Sequence, residues 1–406
     1  MANAVLTASI IAKEALMILD NELVMGKKVY RGYEKEFGNT VSGHEVGDTI
    51  TIRRPTDFTV RDGAVASTQD VVEGSTSITV DKQKGVDFKF TSSDLALNIK
   101  DLSERVIKPA MVQLANQVDA DLMALYKYVP NWVGTPGQTI NSYTDFAKGP
   151  ERLDEYAVPQ ADRSAALSPA DHWGLLGNQT GLYIQRPAEG AYRNGSLGMI
   201  GGVDTYMSQN VPTHTTGSDF TTVTVNQSVT TSTIAYTDVK TTMQQTITIA
   251  GGNFNAGDVF TIADVNAVNP VTKADLGFAK QFTVISYSSN TLVFYPAMIW
   301  SGAFQNVKVA TGTTDLNTKA ITGVGTASTG YRQNMIFNKN AFALAMVPLP
   351  MPSGATGGAR ESYKGMSVRV QPYYDGTNDI NNWRLDVLYG VKAIDPRQAT
   401  RLSGTS

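Results

Sequence analysis

The longest apolar stripe of this chain lies in residues 101–129, DLSERVIKPAMVQLANQVDADLMALYKYV. Apolar side chains recur along it at intervals of three and four residues, which is the period of one helix face. The pattern predicts a helix of roughly 40 Å, at about 1.5 Å per residue, in which Pro109 either introduces a kink or marks the first turn. A coiled-coil seam is the competing interpretation. The stripe consists of Ile107, Met111, Leu114, Val118, Leu122, Leu125 and Val129.

A second helix is predicted near the N-terminus, over residues 7–25, with Thr7 or Ser9 as its cap. Its apolar residues wrap around much of the helix surface, which suggests burial against another part of the protein. The first basic residue is Lys13, and the apolar run at 15–19 is too short to span a membrane. We therefore expect a soluble, unprocessed protein.

Between the two helices the period changes to two, and alternation at 49–53, 77–81 and 87–90 predicts strands. Together they predict an extended hairpin over residues 46–90 with a polar tip. Such a hairpin has little apolar surface of its own, so we expect it to lie on another surface. Its charged side chains include Arg53, Arg54, Arg61, Asp62, Asp70 and Glu73.

The composition changes sharply over residues 218–331. No Arg lies between Arg193 and Arg332, and no Glu lies between Glu189 and Glu361. Thr and Ser recur, and turn residues separate six short strand-forming runs, so the block is predicted to be an inserted β-barrel or β-sandwich. The runs are 222–225, 246–250, 259–262, 282–287, 291–295 and 307–310. Further strands are predicted at 335–337, 342–347, 367–370 and 383–394.

Composition limits the possible functions. The 406 residues are more than one hydrophobic core usually serves, so more than one domain is expected. With 34 basic and 37 acidic residues the formal charge is −3. The chain thus lacks the basic excess of a protein that neutralises many phosphates. The absence of Cys excludes thiol catalysis and Cys-ligated metals. His44, His172 and His214 are scattered without metal-site spacing, and no nucleophile motif or phosphate-binding loop occurs. We therefore predict a protein that is not an enzyme, with no catalytic residues, no metal site and no cofactor.

Several short motifs stand out along the chain: GDTITI at 47–52, ERVIKPA at 104–110, LSP at 167–169, GGVD at 201–204, NVP at 210–212, FNKNAF at 337–342, and LYGV at 388–391 followed by Pro396. With the order of helix, hairpin, long helix and returning strands, they resemble the tailed-bacteriophage major capsid proteins, whose shell fold is named after phage Hong Kong ninety-seven. Asn338 stands where that family often has a His. The inserted block and AYRNG at 191–195 resemble the coat proteins of short-tailed Salmonella phages, which carry an inserted β-barrel called the I-domain.

This resemblance implies an α+β tailed-phage capsid fold with an inserted all-β barrel. Its expected parts are an N-terminal arm and helix (1–45), the extended hairpin or E-loop (46–90), the spine helix of the P-domain (91–130), the first part of the A-domain and P-domain (131–217), the I-domain (218–331) and C-terminal strands of the A-domain and P-domain (332–406).

The resemblance also implies a function. A major capsid protein would assemble as pentamers and hexamers into an icosahedral shell, around a scaffolding protein and in the host bacterial cytoplasm. It would enclose double-stranded DNA, which enters through a portal protein and meets no sequence-specific contact, and no membrane would be involved. The six charged hairpin residues named above are then candidate subunit contacts, because the hairpin would lie on the spine region of a neighbouring subunit.

Two other functions remain open on the sequence. The Thr- and Ser-rich insert with Trp300 suggests a β-rich module that binds carbohydrate or another surface. An encapsulin-like nanocompartment shell would share the fold but seldom the insert.

Overall fold

The computed structural model describes residues 8–35, 37, 40–41, 44–45, 48–66, 68–91, 103–179, 197–220, 222–230, 234–352, 357–363 and 365–405. The predicted cap Thr7, the predicted helix start at Asp101 and the motif at 191–195 lie outside the described residues. The α-helices are α1 Ala8–Glu22, α2 Lys108–Met123, α3 Tyr143–Glu155, α4 Pro169–Gln179 and α5 Tyr236–Val239.

The strands in chain order are β1 Thr40–Val41, β2 His44–Glu45, β3 Thr49–Arg53, β4 Ser75–Thr79, β5 Lys82–Thr91, β6 Asn131–Val133, β7 Arg163–Leu167, β8 Met199–Ile200, β9 Val203–Met207, β10 Thr213–Thr215, β11 Thr224–Val225, β12 Gln245–Ala250, β13 Val259–Val268, β14 Asp275–Ser288, β15 Thr291–Tyr295, β16 Val307–Val309, β17 Ile321–Gly323, β18 Gly330–Arg332, β19 Asn334–Asn338, β20 Phe342–Met346, β21 Ala359–Tyr363, β22 Met366–Asp375, β23 Ile380–Ala393 and β24 Ala399–Leu402.

The predicted long helix has three parts that differ in hydrogen bonding. A π-helical turn, Ser103–Ile107, leads into α2, and a 3-10 helix, Ala124–Tyr128, follows it. Pro109 is the second residue of α2 and comes directly after the π-helical turn. The change from π-helical to α-helical hydrogen bonding therefore falls where proline has no N–H to donate.

The chain divides into two compact units, the first of which contains residues up to Ile50, Ser77–Leu122 and Phe342–Lys392. Its sheet has the order β20-β23-β22-β21, and β5 also pairs with β23. Helix α1 packs against β21 and β22. The contact includes a hydrogen bond of 2.9 Å from Ser9 Oγ to Glu361 Oε1.

The second unit contains Thr51–Thr76, Met123–Ala341 and residues from Ala393 onwards. One of its sheets has six strands in the order β6-β24-β19-β7-β9-β8, with parallel pairs β6–β24 and β7–β9. Phe146 and Leu153 of α3 and Leu175 of α4 are buried in the core beside this sheet, together with Ile336 of β19. We call this sheet and its two helices the host sheet.

The inserted block forms a closed β-barrel. Its strands have the order β11-β12-β15-β14-β13, with β16 and β17 both paired to β13. The sheet closes because Val225 N donates to Lys319 O (3.0 Å) and Ile321 N donates to Val223 O (2.8 Å). All six predicted runs overlap these strands, whereas β17 was not predicted. Of the two architectures considered, the barrel is correct.

A two-stranded stem joins the barrel to the host sheet. Strands β10 and β18 pair antiparallel, so that Thr213 lies opposite Arg332 and Thr215 lies opposite Gly330. The chain therefore leaves the host sheet and returns to it at adjacent positions. Among the described helices, none combines the length and apolar character needed to cross a membrane.

Candidate subunit interface

The frame of the predicted hairpin is a short two-stranded sheet of β3 and β4. Its inward side chains alternate with exposed ones, and Ile50, Ile52 and Ile78 are buried. Val80 N donates to Asp48 O at 2.9 Å where the strands begin and end. The pairing is shorter than the two long strands that the sequence predicts, because the alternation at 87–90 belongs to β5, which pairs with β23 instead.

Residues 54–74 form the tip of this hairpin, and those of them that the structure describes, 54–66 and 68–74, contain no strand. Gln69 nevertheless joins its two limbs. The N–H and hydroxyl of Thr59 donate to Gln69 Oε1 at 2.9 and 3.0 Å, and Gln69 Nε2 donates back to Thr59 O at 2.6 Å. These hydrogen bonds hold the two limbs of the tip together.

The predicted charged contacts are spread along the hairpin and do not form one cluster. Arg53 Nη1 lies 3.2 Å from Glu73 Oε2, with side chains 82% and 43% exposed. A pair of this kind contributes about 0–1 kcal/mol. Asp62 and Asp70 are exposed, and neither forms an ion pair within the described part of the chain. Arg54 is partly buried, at the base of the tip.

Arg61 has a local role in the tip. Its guanidinium donates hydrogen bonds to the carbonyl oxygens of Gly63 and Val65, the second at 2.9 Å. Gly63 has a φ of +86°, which favours glycine in this turn. Arg61 therefore stabilises the conformation of the loop and does not pair with Asp62.

The tip exposes apolar side chains that the sequence interpretation missed. Phe58, Val60, Val65 and Val71 are 56%, 97%, 85% and 66% exposed. Phe58 and Val60 are two residues apart, a spacing that places side chains on the same side of an extended backbone. That alternation was the signal available in the sequence, but the nearby charges led to the prediction of a polar tip.

The stripe of the spine helix is buried in the structure. Ile107, Met111, Leu114, Val118 and Leu122 are at most 2% exposed, Leu125 is 8% exposed and Val129 is 0% exposed. The next residue after Val118 is a buried carboxylate that the sequence interpretation did not single out. Asp119 accepts hydrogen bonds from the N–H groups of Val24 (2.8 Å) and Gly26 (2.9 Å), while its burial raises the pKa above the usual range.

A buried polar network lies where the stem meets the barrel. Tyr126 Oη is 3.0 Å from His214 Nδ1, and His214 Nε2 is 2.8 Å from Asp258 Oδ1. The other oxygen of Asp258 accepts the N–H groups of Gly217 (3.0 Å) and Asn255 (2.7 Å). Tyr, His and Asp can transfer protons in enzymes. His214 and Asp258 are only 4% and 1% exposed, however, so a substrate has no access to them. The network therefore ties the stem to the barrel.

Arg401 of β24 completes this buried region. Its guanidinium donates to the carbonyl oxygens of Gly257 (2.7 Å) and Val129 (3.0 Å), and it lies 5.2 Å from the ring centroid of Tyr126. Burial lowers the pKa of Arg401 to about 9. A charged side chain from the host sheet thus donates to the barrel, at the Gly257 carbonyl and at Thr283 Oγ1 (3.2 Å), as well as to Val129 just before β6.

The two histidines whose side chains the structure describes lie in separate elements, His172 in α4 and His214 in β10. His172 and His214 are buried, and the side chain of His44 lies outside what the structure describes. In the described ranges, no group of three or more His, Asp or Glu side chains is placed to hold a metal ion.

Comparison with known proteins gives a consistent result. The family model described as P22 coat protein - gene protein 5 matches residues 1–404. The major capsid protein of Acyrthosiphon pisum secondary endosymbiont phage 1 is 22% identical over 424 residues, which cover 98% of this chain and 97% of that protein.

Solved structures are also similar. One from Mycobacterium phage Che8 has a TM-score of 0.49 and 12% identity, covering 93% of this chain and 90% of its own. The CUS-3 coat protein I-domain is 27% identical with a TM-score of 0.21, and 27% of this chain matches 100% of it.

The family match covers nearly every residue, which agrees with the resemblance seen in the short motifs. Carbohydrate binding and a nanocompartment shell are not favoured as functions. This chain belongs to the P22 coat protein family and is a structural protein, the major capsid protein of a phage, and not an enzyme.

Proposed function

We propose that copies of this chain assemble as pentamers and hexamers into an icosahedral shell, around a scaffolding protein in the host bacterial cytoplasm. As a coat protein, the chain assembles with copies of itself and is part of the virion. The shell encloses double-stranded DNA that enters through a portal protein. A formal charge of −3 supports this arrangement, because a near-neutral wall lets DNA slide where a basic wall would bind it.

Within that shell, the hairpin tip is the clamp that joins one subunit to the next. The observation that carries this proposal is the set of exposed apolar side chains at Phe58, Val60, Val65 and Val71. Exposed apolar residues grouped on one short loop are typical of protein interaction sites. The occupant is a second copy of the chain, since a coat protein meets mainly itself.

The apolar contacts outweigh the charged ones that the sequence suggested. Complete burial of a Val or Phe side chain contributes about 1.5–3 kcal/mol, against about 0–1 kcal/mol for an exposed ion pair. Val60 and Val65 are 97% and 85% exposed, so almost all of their burial is available to a neighbour. In a closed shell the same contact recurs in every subunit.

The test is the double variant Phe58→Ser with Val60→Ser. Because both side chains are exposed, we expect the melting temperature of the monomer to stay close to that of the wild type. We expect the critical concentration for assembly to rise by about tenfold or more, since roughly 1.4 kcal/mol corresponds to a factor of ten. Sedimentation and light scattering over a concentration series measure both quantities.

Val271→Ser is the matched control, because Val271 is 74% exposed in the turn between β13 and β14 of the barrel. Asp62→Lys tests the charged alternative more cleanly than a substitution of Arg61, whose hydrogen bonds shape the loop. An apolar clamp is preserved at raised NaCl, whereas an ionic one weakens. Assembly of the double variant at wild-type concentrations, or disruption by Asp62→Lys alone, contradicts the apolar clamp.

A further inference from the structure

The outer part of the hairpin shares a compact unit with the inserted barrel. Residues Thr51–Thr76 cluster with Met123–Ala341, whereas the beginning of β3 and the end of β4 cluster with the other unit. The tip therefore belongs to the compact unit that contains the barrel and the host sheet.

Gly74, directly before β4, lies close against the barrel. A Cβ atom at this position would lie 2.2 Å from the carbonyl oxygen of Lys240 and 2.9 Å from Tyr236 Oη. Both residues lie at helix α5 of the barrel. The backbone of Gly74 does not have a positive φ. Glycine is therefore needed here for space, because no side chain fits between the hairpin and α5.

The contact holds both limbs of the hairpin. Arg54 N donates to Gly74 O at 2.8 Å, so a shift at Gly74 also moves the opposite limb. On the barrel side, the ring of Tyr236 stacks on Phe304 with centroids 3.5 Å apart and planes 8° from parallel. Stacking restricts the rotation of the Tyr236 side chain, so its ring gives the hairpin a rigid surface.

Electrostatic contacts support the same arrangement. Arg397 donates to both carboxylate oxygens of Asp395, at 2.8 and 3.0 Å. Burial raises the pKa of Asp395, whereas the positive charges of Arg397 and, to a smaller extent, Arg54 lower it. Together the lowering effects are the larger, so the pKa of Asp395 is below its usual value. Burial also raises the pKa of Tyr236, an effect that the guanidinium of Arg54 reduces. Arg54 at the base of the tip thus interacts electrostatically with Tyr236 of the barrel and with Asp395, which comes just before β24 of the host sheet.

We infer that the inserted barrel positions the assembly clamp of its own subunit, through a brace formed by Gly74, Tyr236 and Lys240. These are positioning residues, because they act on the direction of the tip and not on the neighbouring subunit. The inference rests on the clamp proposed above, but the brace itself is a property of the isolated monomer and can be measured there.

The experiment is a distance measurement between two spin labels. The chain has no Cys, so labels can be placed at Val65→Cys in the tip and Val271→Cys in the barrel without removing native thiols. Gly74→Ala adds a methyl group that must move away from the carbonyl oxygen of Lys240 by about 1 Å to reach ordinary contact distance. Tyr236→Ala removes the rigid surface from the barrel side. We expect both variants to shift and broaden the distance distribution in the monomer.

Gly177→Ala is the matched control, because a Cβ atom there meets nothing within 4 Å. An unchanged distribution in both Gly74→Ala and Tyr236→Ala overturns the brace, whatever happens to assembly. If Gly74→Ala does not fold, Tyr236→Ala alone decides, with the melting of the barrel followed in parallel. A shifted tip with assembly at the wild-type critical concentration supports the brace and refutes the clamp, so the two proposals fail separately.

Discussion

Replacement of Lys280 by Met should stabilise this protein at neutral pH. Lys280 of β14 is 4% exposed, and its Nζ lies 3.3 Å from Tyr156 Oη and 4.4 Å from the centroid of that ring. It forms no ion pair with a carboxylate in the part of the chain that the structure describes. Burial, assisted by the charges of Arg397 and Arg152, lowers the pKa of Lys280 from 10.5 to about 7.

The lowered pKa sets the size of the effect. A shift from 10.5 to about 7 corresponds to an upper limit of about 5 kcal/mol of destabilisation. Exchanges of buried charges for apolar side chains of similar volume commonly yield about 1–4 kcal/mol. We expect Lys280→Met to raise the free energy of unfolding by about 1–3 kcal/mol, because part of the shift is offset by the contact between the ammonium and the Tyr156 ring.

The sign of the pH dependence follows from the same shift. Between pH 7 and 10.5 the unfolded chain holds the proton of Lys280 more tightly than the folded chain. The stability of the wild type therefore rises with pH through this window, because the penalty is complete below about pH 7 and disappears above about 10.5. The advantage of Lys280→Met should be largest at or below neutral pH and should shrink as the pH rises.

Calorimetry of the monomer, below the concentration of assembly, measures this difference at pH about 7 and about 10. Lys308→Met is the matched control, since Lys308 is exposed on β16 and loses no desolvation penalty. We expect no change of melting temperature for the control. A lower melting temperature for Lys280→Met at neutral pH, or a gain that is the same at both pH values, refutes the reasoning.

Two further changes test the core and the insert. Val118 is 0% exposed, so Val118→Asp should lower the free energy of unfolding by several kcal/mol and give insoluble or non-assembling protein. Gln113→Asp, on the exposed face of α2, is the control and should do neither. Normal particles from Val118→Asp would contradict the buried stripe. Residues 218–331 expressed alone should melt cooperatively and show a strand-dominated circular dichroism spectrum, because the barrel closes with its own strands; a disordered fragment would argue against an independent domain.

Local patterns in the sequence predicted those helices and strands whose apolar residues recur at regular intervals. The spine stripe, the alternation of the barrel strands and the loss of Arg and Glu after Arg193 each depend on neighbouring residues. The π-helical and 3-10 segments have only five residues each, which is too short for periodicity to distinguish their hydrogen bonding from that of an α-helix. For this reason the three parts of the long helix were not predicted.

Long-range contacts had no local signal. Tyr126, His214, Asp258 and Arg401 come from four separate segments, so their network is visible only after the chain has folded. The same holds for β5, whose alternation is clear but whose partner is β23 and not the hairpin. The tip was predicted to be polar because it contains several charged residues. The exposed apolar pair Phe58 and Val60 was overlooked.

The position of β24 in the host sheet has a consequence for synthesis on the ribosome. This strand follows all the others in the chain, yet it lies between β6 and β19. The barrel is built from one contiguous block and can be complete while β24 is still being translated, since domains fold in the order in which they emerge. Before β24 is made, β6 lacks the partner that it has in this sheet, and the carbonyls of Gly257 and Val129 lack the guanidinium of Arg401. The last strand of the host sheet thus pairs into place beside a barrel that has already folded. A nascent subunit reaches its final form only after translation has passed Arg401.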